Sequence, residues 1–253
     1  MFNASLVKEQ IIQWIREYFD KNGTSDERCE CSAVVGISGG IDSSVTAALC
    51  VKALGASRVI GVLMPYKNQH DIDFSHELSA FLGIKYINFN IMDSTDALLS
   101  GLEKSFCNGN FAKRVNKQAV INTPARIRMT ALYAVSAVVS GRVANTCNLS
   151  EDWVGYSTKY GDAAGDFSPL SCLTKTEVKM IAKELNLPSK FIDKTPEDGL
   201  SGLSDEENLG FTYDVLDRYI REGICEDTEI RKKIDHLHQM NKHKLMLMPK
   251  FEM

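Results

Sequence analysis

Residues 32–44 read SAVVGISGGIDSS, and this stretch decides the fold. Its first half is apolar and β-branched, which predicts a buried strand. Two adjacent glycines follow, Gly39 and Gly40, and then a helical segment that ends at Gly55. A helix N-terminus presents unpaired N–H groups and the positive end of its dipole, and glycine lets the backbone approach an anion closely. The stretch therefore predicts a phosphate-binding loop between a strand and a helix.

Strand patterns recur three times further along the chain, each after a helical segment, at residues 58–65, 84–91 and 142–148. The clearest of the intervening helical patterns covers residues 71–83 and 123–141. This alternation predicts a single α/β domain over residues 1–253, with a doubly wound, mostly parallel sheet and helices on both faces. In such folds ligands bind beyond the carboxyl ends of the strands, here after Ile37, Met64 and Thr146.

The chain beyond residue 150 has no further strand signal. Residues 155–172, GYSTKYGDAAGDFSPLSC, predict an ordered loop, because they are rich in Gly, Ser and Asp. Capping boxes at Thr174/Glu177 and Ser204/Glu207 predict two helix starts, the second opening a helix over residues 207–223. One or both of the polar segments 66–71 and 194–207 are expected to be mobile and to close over ATP.

The carboxylate of Asp42 stands inside the predicted loop. An acid that faces an anion is unfavourable unless a cation lies between them, so Asp42 predicts bound Mg²⁺. The loop lacks both the Gly-Lys-Ser/Thr ending of a Walker A motif and the GxGxxG spacing of dinucleotide-binding loops. A helix cap without a ligand is the alternative, but a cap needs neither two glycines nor the trailing pair Ser43 and Ser44.

Composition excludes several classes of protein. The chain has 253 residues, 44% of them hydrophobic and 25% charged, with a net charge of −4, as in an average globular protein. It has no apolar run long enough to span a membrane, and its acidic balance argues against a nucleic-acid partner. The seven cysteines form no paired CxxC, and His236 and His238 point to different faces of one predicted helix, so neither set predicts a metal site. We expect a reduced, cytoplasmic protein without a signal peptide.

Five motifs in order carry a family resemblance. Residues 38–43, SGGIDS, resemble the pyrophosphate loop of the ATP pyrophosphatase superfamily, which has the adenine nucleotide alpha hydrolase-like fold. Residues 151–170, EDWVGYSTKYGDAAGDFSPL, resemble the signature of the ammonia-dependent NAD synthetase family within it. Residues 122–133 resemble that family's arginine helix, and residues 204–217 and the His243-Lys244 pair match in kind and order.

The resemblance implies a reaction and its partners. ATP, as co-substrate, adenylates the nicotinate carboxylate of nicotinic acid adenine dinucleotide, and ammonia then displaces AMP to give NAD, with pyrophosphate as the other product. This chemistry needs no enzyme nucleophile, and the sequence contains no recognisable Ser–His–Asp or Cys–His arrangement. The family also implies a homodimer with the dinucleotide site near the subunit interface.

The resemblance also assigns roles to residues. Contacts to ATP are implied for Gly36, Ile37, Ser38, Gly39, Gly40, Ile41, Asp42, Ser43, Thr146, Lys175 and Thr195. Mg²⁺ is implied at Asp42 and Glu151. The dinucleotide is implied to contact Arg126, Lys159, Asp166, His243 and Lys244. Catalytic roles are implied for Asp42, Lys175 and Asp162, the last as the group that meets ammonium and removes its proton.

Two other functions stay open at this point. A different ATP pyrophosphatase, such as a tRNA thiolation ligase, is the nearest alternative, although the chain shows no basic extension and no catalytic thiol pair. A nucleotide-binding regulatory module would be expected to lose the acids Asp42 and Glu151. We further expect no glutaminase domain, because the synthetase motifs fill the chain from its first residues to His243-Lys244.

Overall fold

The computed structural model describes residues 2–23, 30–67, 72–109, 113–194 and 204–252. Its sheet has four parallel strands in the order β3-β2-β1-β4. The strand bounds are Ala33–Gly36 for β1, Val59–Leu63 for β2, Lys85–Asn88 for β3 and Arg142–Ala144 for β4. Ala33 pairs with Val59 on one side and with Arg142 on the other, so β1 is a central strand. The predicted α/β class and parallel sheet are confirmed.

Helices cover both faces of β1, β2 and β4, whereas all four residues of the edge strand β3 are exposed. Val34, Val62 and Val143 point into one apolar core, while Ala33, Val35 and Val59 point into another. Successive side chains of a strand point to opposite faces, so β1 contributes to both cores. This is why β1 and β2 read as near-continuous apolar runs instead of alternating with polar residues.

Six long helices cover the sheet. On the first face lie α1 (Ala4–Asn22), α2 (Ile41–Leu54), α3 (Ile72–Leu82) and α7 (Lys175–Glu184), with the short 3-10 helix Ala56–Arg58 leading into β2. On the second face α5 (Lys117–Val138) packs on β1 and β4, and α4 (Met92–Asn108) packs on α5. No helix in the described part of the chain is long and apolar enough to cross a membrane.

The remaining helices form a smaller cluster at the carboxyl edge of the sheet. They are α6 (Leu149–Val154), α9 (Asp205–Leu209), α10 (Tyr213–Glu222), α11 (Thr228–Asn241) and the 3-10 helix Lys242–Lys244. The short helix α8 (Ser189–Ile192) instead packs on α2 and α7 in the core of the first face. A third apolar core that includes Val154, Leu216 and Ile234 joins α6, α10 and α11. The cluster thus holds α6 from behind, at the end of β4.

Several predicted elements differ in extent, and the strand predicted over residues 84–91 covers only Lys85–Asn88. The single helix predicted over residues 207–223 is two helices, because Gly210 adopts a left-handed conformation with φ of 77° and Thr212 caps a new helix start. The strand predicted over residues 142–148 ends at Ala144. The helix predicted from residue 123 begins earlier, at Lys117. Most of the two predicted mobile loops, residues 68–71 and 195–203, lies outside the described residues.

Candidate active site

The predicted phosphate loop lies where expected, between β1 and α2 at the carboxyl edge of the sheet. Gly39 has φ of +74°, and a Cβ there would lie 2.7 Å from the Cβ of Phe74, so both backbone and space require glycine. Ile37 N–H donates to Val62 O at 2.9 Å and so extends the strand pairing up to the loop. The loop is therefore held by the sheet on one side and by α3 on the other.

The N-terminus of α2 has no side-chain cap. Gly40 stands at the N-cap position, and among the residues that the structure describes no side chain caps the first N–H groups of the helix. The hydroxyls of Ser43 and Ser44 instead donate to Gly40 O, at 3.0 and 2.8 Å. Ser38 Oγ accepts from Gly40 N–H at 3.2 Å. The serines thus shape the loop, and the helix donors stay available to an anion.

Lys175 brings the two predicted metal ligands together. Its Nζ donates to Asp42 Oδ2 at 2.6 Å and to Glu151 Oε1 at 2.9 Å. The side chain of Lys175 is 2% exposed, against 18% for Asp42 and 14% for Glu151. Asp42 comes from the first turn of α2, Glu151 from α6 and Lys175 from the first residue of α7. Three separate segments therefore meet at one charged cluster.

Asn148 is a member of this cluster that the sequence analysis missed. Its side-chain N–H donates to Asp42 Oδ1 at 2.9 Å, while its Oδ1 caps α6 by accepting from Glu151 N–H at 3.1 Å. Asn148 and Glu151 form a reciprocal capping box. The spacing Asn148-x-x-Glu151 is the same signal that located the boxes at Thr174 and Ser204, so it was available in the sequence.

Burial shapes the titration of the cluster. It raises the pKa of Glu151 to about 7; Lys175 opposes that shift and Asp42 adds to it. Burial alone would lower the pKa of Lys175, but the adjacent Asp42 and Glu151 carboxylates outweigh it and raise that pKa. The lysine is therefore firmly cationic, and the cluster carries two acids for one cation.

These residues fit a magnesium ion. Mg²⁺ prefers oxygen ligands and is commonly held by one or two carboxylates together with substrate phosphates. Asp42 and Glu151 both reach a single cation, the Lys175 ammonium, so one small ion is within reach of both. Within the described ranges no group of three or more His, Cys, Asp or Glu side chains forms a fuller metal site.

Four of the five predicted dinucleotide contacts form a second cluster. Arg126 Nε donates to Lys159 O at 3.3 Å, and Lys159 Nζ donates to His243 O at 2.7 Å. Lys244 Nζ donates to Gly155 O and Ser157 O, at 2.7 and 2.9 Å. The C-terminal segment is thereby fastened to the loop that follows α6.

Asp166, the fifth predicted contact, lies in a cavity that also contains Lys244. The cavity has a volume of about 340 Å³, and Asn145 and Ser168 line it as well. Asp166 accepts from Val143 N–H at 2.7 Å and from the Tyr133 hydroxyl at 3.2 Å. The structure thus brings Asp166 together with Lys244, one member of the second cluster.

Asp152 also lines this cavity and was missed by the sequence analysis. It directly follows Glu151 in the chain, and its side chain lines the cavity whereas that of Glu151 contacts Lys175. Burial raises the pKa of Asp152 to about 6, and the Asp162 carboxylate adds to the shift. Nothing in the sequence distinguishes Asp152 from a solvated acid at the start of a helix.

Asp162 lies in the loop that follows α6, close enough to Lys244 for the two charges to interact. Its Oδ1 accepts from Thr158 N–H at 3.0 Å, and its backbone carbonyl accepts from Asn145 at 2.8 Å. Burial raises its pKa, which hydrogen bonds from Thr158 and the charge of Lys244 partly offset. Of the two predicted threonines, Thr146 is half-buried just beyond β4, and Thr195 lies outside the described residues.

The fold and site define the class of this protein. A glycine loop, an open helix N-terminus and an acidic cluster meet at the carboxyl edge of a parallel sheet, in the adenine nucleotide alpha hydrolase-like fold. The family model described as NAD synthase matches residues 7–248. The chain belongs to the NAD synthase family.

Known relatives agree with this membership. The chain is 40% identical to the NH(3)-dependent NAD(+) synthetase of Methanocaldococcus jannaschii, across 96% of this chain and 95% of that relative. It superposes on the NMN synthetase of Francisella tularensis with a TM-score of 0.86 and 30% identity, covering 99% and 100% of the two chains. For the NH3-dependent NAD synthetase of Campylobacter jejuni, solved with a nitrate ion, the TM-score is 0.77 and the identity 27%, over 100% of both chains. These findings do not favour the tRNA thiolation alternative.

Proposed function

We propose that this protein is an ammonia-dependent NAD synthetase, which forms NAD, AMP and pyrophosphate from nicotinic acid adenine dinucleotide, ATP and ammonia. The observation that carries the proposal is the Lys175 bridge between Asp42 and Glu151. It places a charged cluster at the uncapped N-terminus of α2. Asp152, the residue after Glu151, lines the cavity that also contains Asp166. In this proposal the ATP phosphates bind at the charged cluster and the dinucleotide binds at the cavity.

The reaction needs activation, because a carboxylate does not react with ammonia at neutral pH. The nicotinate carboxylate attacks the α-phosphorus of ATP, a new P–O bond forms, and the bond to pyrophosphate breaks. Ammonia then attacks the acyl carbon, AMP leaves, and one proton is lost from nitrogen. The protein positions the reactants, neutralises charge and keeps water from the mixed anhydride.

The adenylation step would take place at the phosphate end of the site, formed by the glycine loop and the charged cluster. We assign ATP contacts to the loop from Gly36 to Ser43, with Thr146, Lys175 and Thr195 completing the set. Asp42 and Glu151 would hold Mg²⁺, which supplies charge neutralisation on the phosphates when it is bound. With ATP bound, its phosphate oxygens would be further hydrogen-bond acceptors for the Lys175 ammonium.

The attack of ammonia would take place at the other end of the site, near the cavity that Asp166 lines. Arg126, Lys159 and Lys244 supply positive charge for the dinucleotide phosphates, and His243 and Asp166 lie beside them. Asp162 is the proton acceptor in this proposal. Its buried carboxyl has a raised pKa, which makes it a better base than an exposed aspartate.

One incubation tests the proposal. The protein is mixed with ATP, Mg²⁺, ammonium and nicotinic acid adenine dinucleotide, and the products are separated by chromatography. NAD and AMP in equal amounts are expected. ADP in place of AMP, or ATP turnover without NAD, would overturn the proposed reaction.

A second candidate differs only in substrate size. The TM-score with the NMN synthetase, 0.86, exceeds that with the NAD synthetase of Campylobacter jejuni, 0.77. The chain would then amidate nicotinic acid mononucleotide, whose nicotinate carboxylate undergoes the same two steps. Parallel assays with the two acids, followed by a competition assay with both present, identify the preferred substrate by its kcat/KM.

We also propose a homodimer that packs through α4 and α5. Exposed apolar side chains lie on this side of the molecule: Met92, Leu98, Val120, Tyr133 and Val138, the last 84% exposed. Tyr133 donates to Asp166, so this face adjoins the cavity. Light scattering should give a dimer mass for the wild type and a monomer for Val138→Asp, while Leu247→Asp, at an exposed apolar residue of the C-terminal tail, should leave the dimer intact.

The cytoplasmic location and the single-domain organisation remain predictions. The described cysteines, Cys31, Cys50, Cys107, Cys147, Cys172 and Cys225, are all free thiols. That agrees with a reducing compartment.

A further inference from the structure

Three helices meet at a buried pair of polar side chains, Ser150 of α6 and Asp217 of α10. Ser150 Oγ donates to Asp217 Oδ1. The N–H of Lys175, the first residue of α7, donates to Ser150 Oγ at 2.9 Å. The N–H of Thr176 donates to Asp217 Oδ2 at 2.7 Å. Ser150 is fully buried and Asp217 is 5% exposed.

These hydrogen bonds lie directly behind the charged cluster. Ser150 precedes Glu151 in the chain, and Ser150 Oγ accepts a hydrogen bond from the backbone N–H of Lys175. We call Ser150, Asp217 and the two N–H groups that they bind the junction. It sets the backbone positions of Glu151 and Lys175, the two residues that face Asp42. Because Lys175 Nζ and Glu151 Oε1 are 2.9 Å apart, a small shift between α6 and α7 would change that contact.

The junction also leaves α7 with a closed N-terminus. Ser150 accepts a hydrogen bond from the N–H of Lys175, and Asp217 accepts one from the N–H of Thr176. Thr174 accepts one from the N–H of Glu177. The N-terminus of α2, in contrast, has no side-chain cap. A buried carboxylate at a helix N-terminus is stabilised by the helix dipole and by charge-assisted hydrogen bonds. Asp217 thus has the features of a rigid support for α7, whereas α2 is open to a ligand.

We propose that Asp217 is a positioning residue for the phosphate end of the site. Through Ser150 and the first turn of α7 it sets the spacing of Glu151 and Lys175, and so the affinity for ATP with its metal. The inference rests on the proposed function for the identity of the nucleotide. Asp217 is not itself assigned to touch ATP, Mg²⁺ or the pyridine nucleotide.

Variants of the junction test the inference. Asp217→Ala removes both acceptors, whereas Asp217→Asn keeps one acceptor for Thr176 N–H and can donate to Ser150 Oγ. Ser150→Ala removes only the Ser150 hydroxyl from the junction. It replaces Asp217→Ala as the test variant if Asp217→Ala folds poorly. Asp214→Ala is the matched control, since Asp214 is exposed on the same helix α10.

The readout separates positioning from general stability. Misplacing a group by about 1 Å can cost as much as about 10²-fold, and we expect Asp217→Ala to raise the KM for ATP by about tenfold or more. The KM for the pyridine nucleotide should change by no more than about threefold, and Asp217→Asn should recover part of the ATP effect. Asp214→Ala should match the wild type.

Binding of a non-hydrolysable ATP analogue with Mg²⁺, measured by calorimetry, gives the same answer without turnover. If the proposed reaction is wrong, the wild type makes no NAD, yet analogue binding still tests the junction. A lowered Tm for Asp217→Ala and Ser150→Ala, with analogue affinity within about twofold of wild type, would show a purely structural role and overturn the inference.

Discussion

The ammonium of Lys175 lies 2.6 Å from a carboxylate oxygen of Asp42, a residue 133 positions earlier in the chain. Glu151 accepts from the same ammonium, so two carboxylates share one cation. When both acids are ionised, above the raised pKa of Glu151 of about 7, these three side chains together carry one negative charge in excess. Removing an acid leaves a neutral ion pair, whereas removing the lysine leaves two buried acids without a cation. These two kinds of substitution should have different consequences.

Asp42→Asn and Glu151→Gln should each abolish most activity while the protein stays folded. Loss of charge stabilisation at a transferring phosphoryl group costs several kcal/mol of barrier, so we expect kcat/KM to fall by about 100-fold or more. Stability should change little, because the remaining acid still pairs with Lys175. Steady-state kinetics at saturating Mg²⁺ and a thermal melt measure both effects.

Asp73→Asn is the control for these acid variants. Asp73, like Asp42, lies in the first turn of a helix, but it is exposed on α3. Its substitution should leave kcat/KM unchanged. Near wild-type turnover of both Asp42→Asn and Glu151→Gln would contradict the assignment of these acids to the metal.

Lys175→Met should be strongly destabilising. Breaking a buried ion pair by removing one partner typically costs about 3–5 kcal/mol, because the charge that stays buried is uncompensated. Added Mg²⁺ should restore part of the lost stability, since an ion bound by Asp42 and Glu151 would replace the ammonium. The measurement is the shift in unfolding midpoint between EDTA and Mg²⁺, which should be larger for Lys175→Met than for the wild type.

The matched control for the lysine is Lys179→Met on the exposed side of the same helix α7. This variant should melt as the wild type does, with or without Mg²⁺. If Mg²⁺ left the midpoint of Lys175→Met unchanged, the two acids would not form a metal site in the absence of nucleotide.

Asp152→Asn should stabilise the protein in a pH-dependent way. The pKa of Asp152 is raised from 3.8 to about 6 in the folded state. Protonation of this carboxyl therefore increases the free energy of unfolding of the wild type. That contribution is present at low pH and is lost as the pH rises through about 6. The asparagine cannot ionise, so the gain in Tm of Asp152→Asn should be larger at about pH 7.5 than at about pH 4.5. Melts in EDTA at both pH values measure it, and an equal difference at the two would contradict the raised pKa.

Local signals in the sequence predicted much of the fold and one end of the site. The apolar run before Gly39 and Gly40 specified the central strand, the loop and the start of α2, since all three lie within a few residues of each other. The position of Asp42 in that loop was evident for the same reason. The second cluster was predicted only through a family resemblance, because Lys159 and His243 are distant in sequence and meet only after folding.

Other features depend on tertiary contacts that no local pattern encodes. The break at Gly210 was missed because a helical pattern continues on both sides of it, and only the left-handed backbone shows the end of α9. Asp217 reads as an ordinary polar residue of an amphipathic helix. Its burial against Ser150 and α7 follows from how the C-terminal helices pack behind α6.

The pure protein should use free ammonia and not glutamine. An enzyme that takes nitrogen from glutamine uses a nucleophilic cysteine, and such a thiol has a lowered pKa. In the described residues the opposite holds at two buried cysteines: burial raises the pKa of Cys50 to about 12 and raises that of Cys147 well above its ordinary value. We expect NAD formation to need ammonium and to rise with pH through the neutral range, because only unprotonated ammonia has a free lone pair. The measurement is the initial rate with either nitrogen donor after ammonium has been removed enzymatically. Efficient NAD formation from glutamine under that condition would contradict the ammonia-dependent reaction.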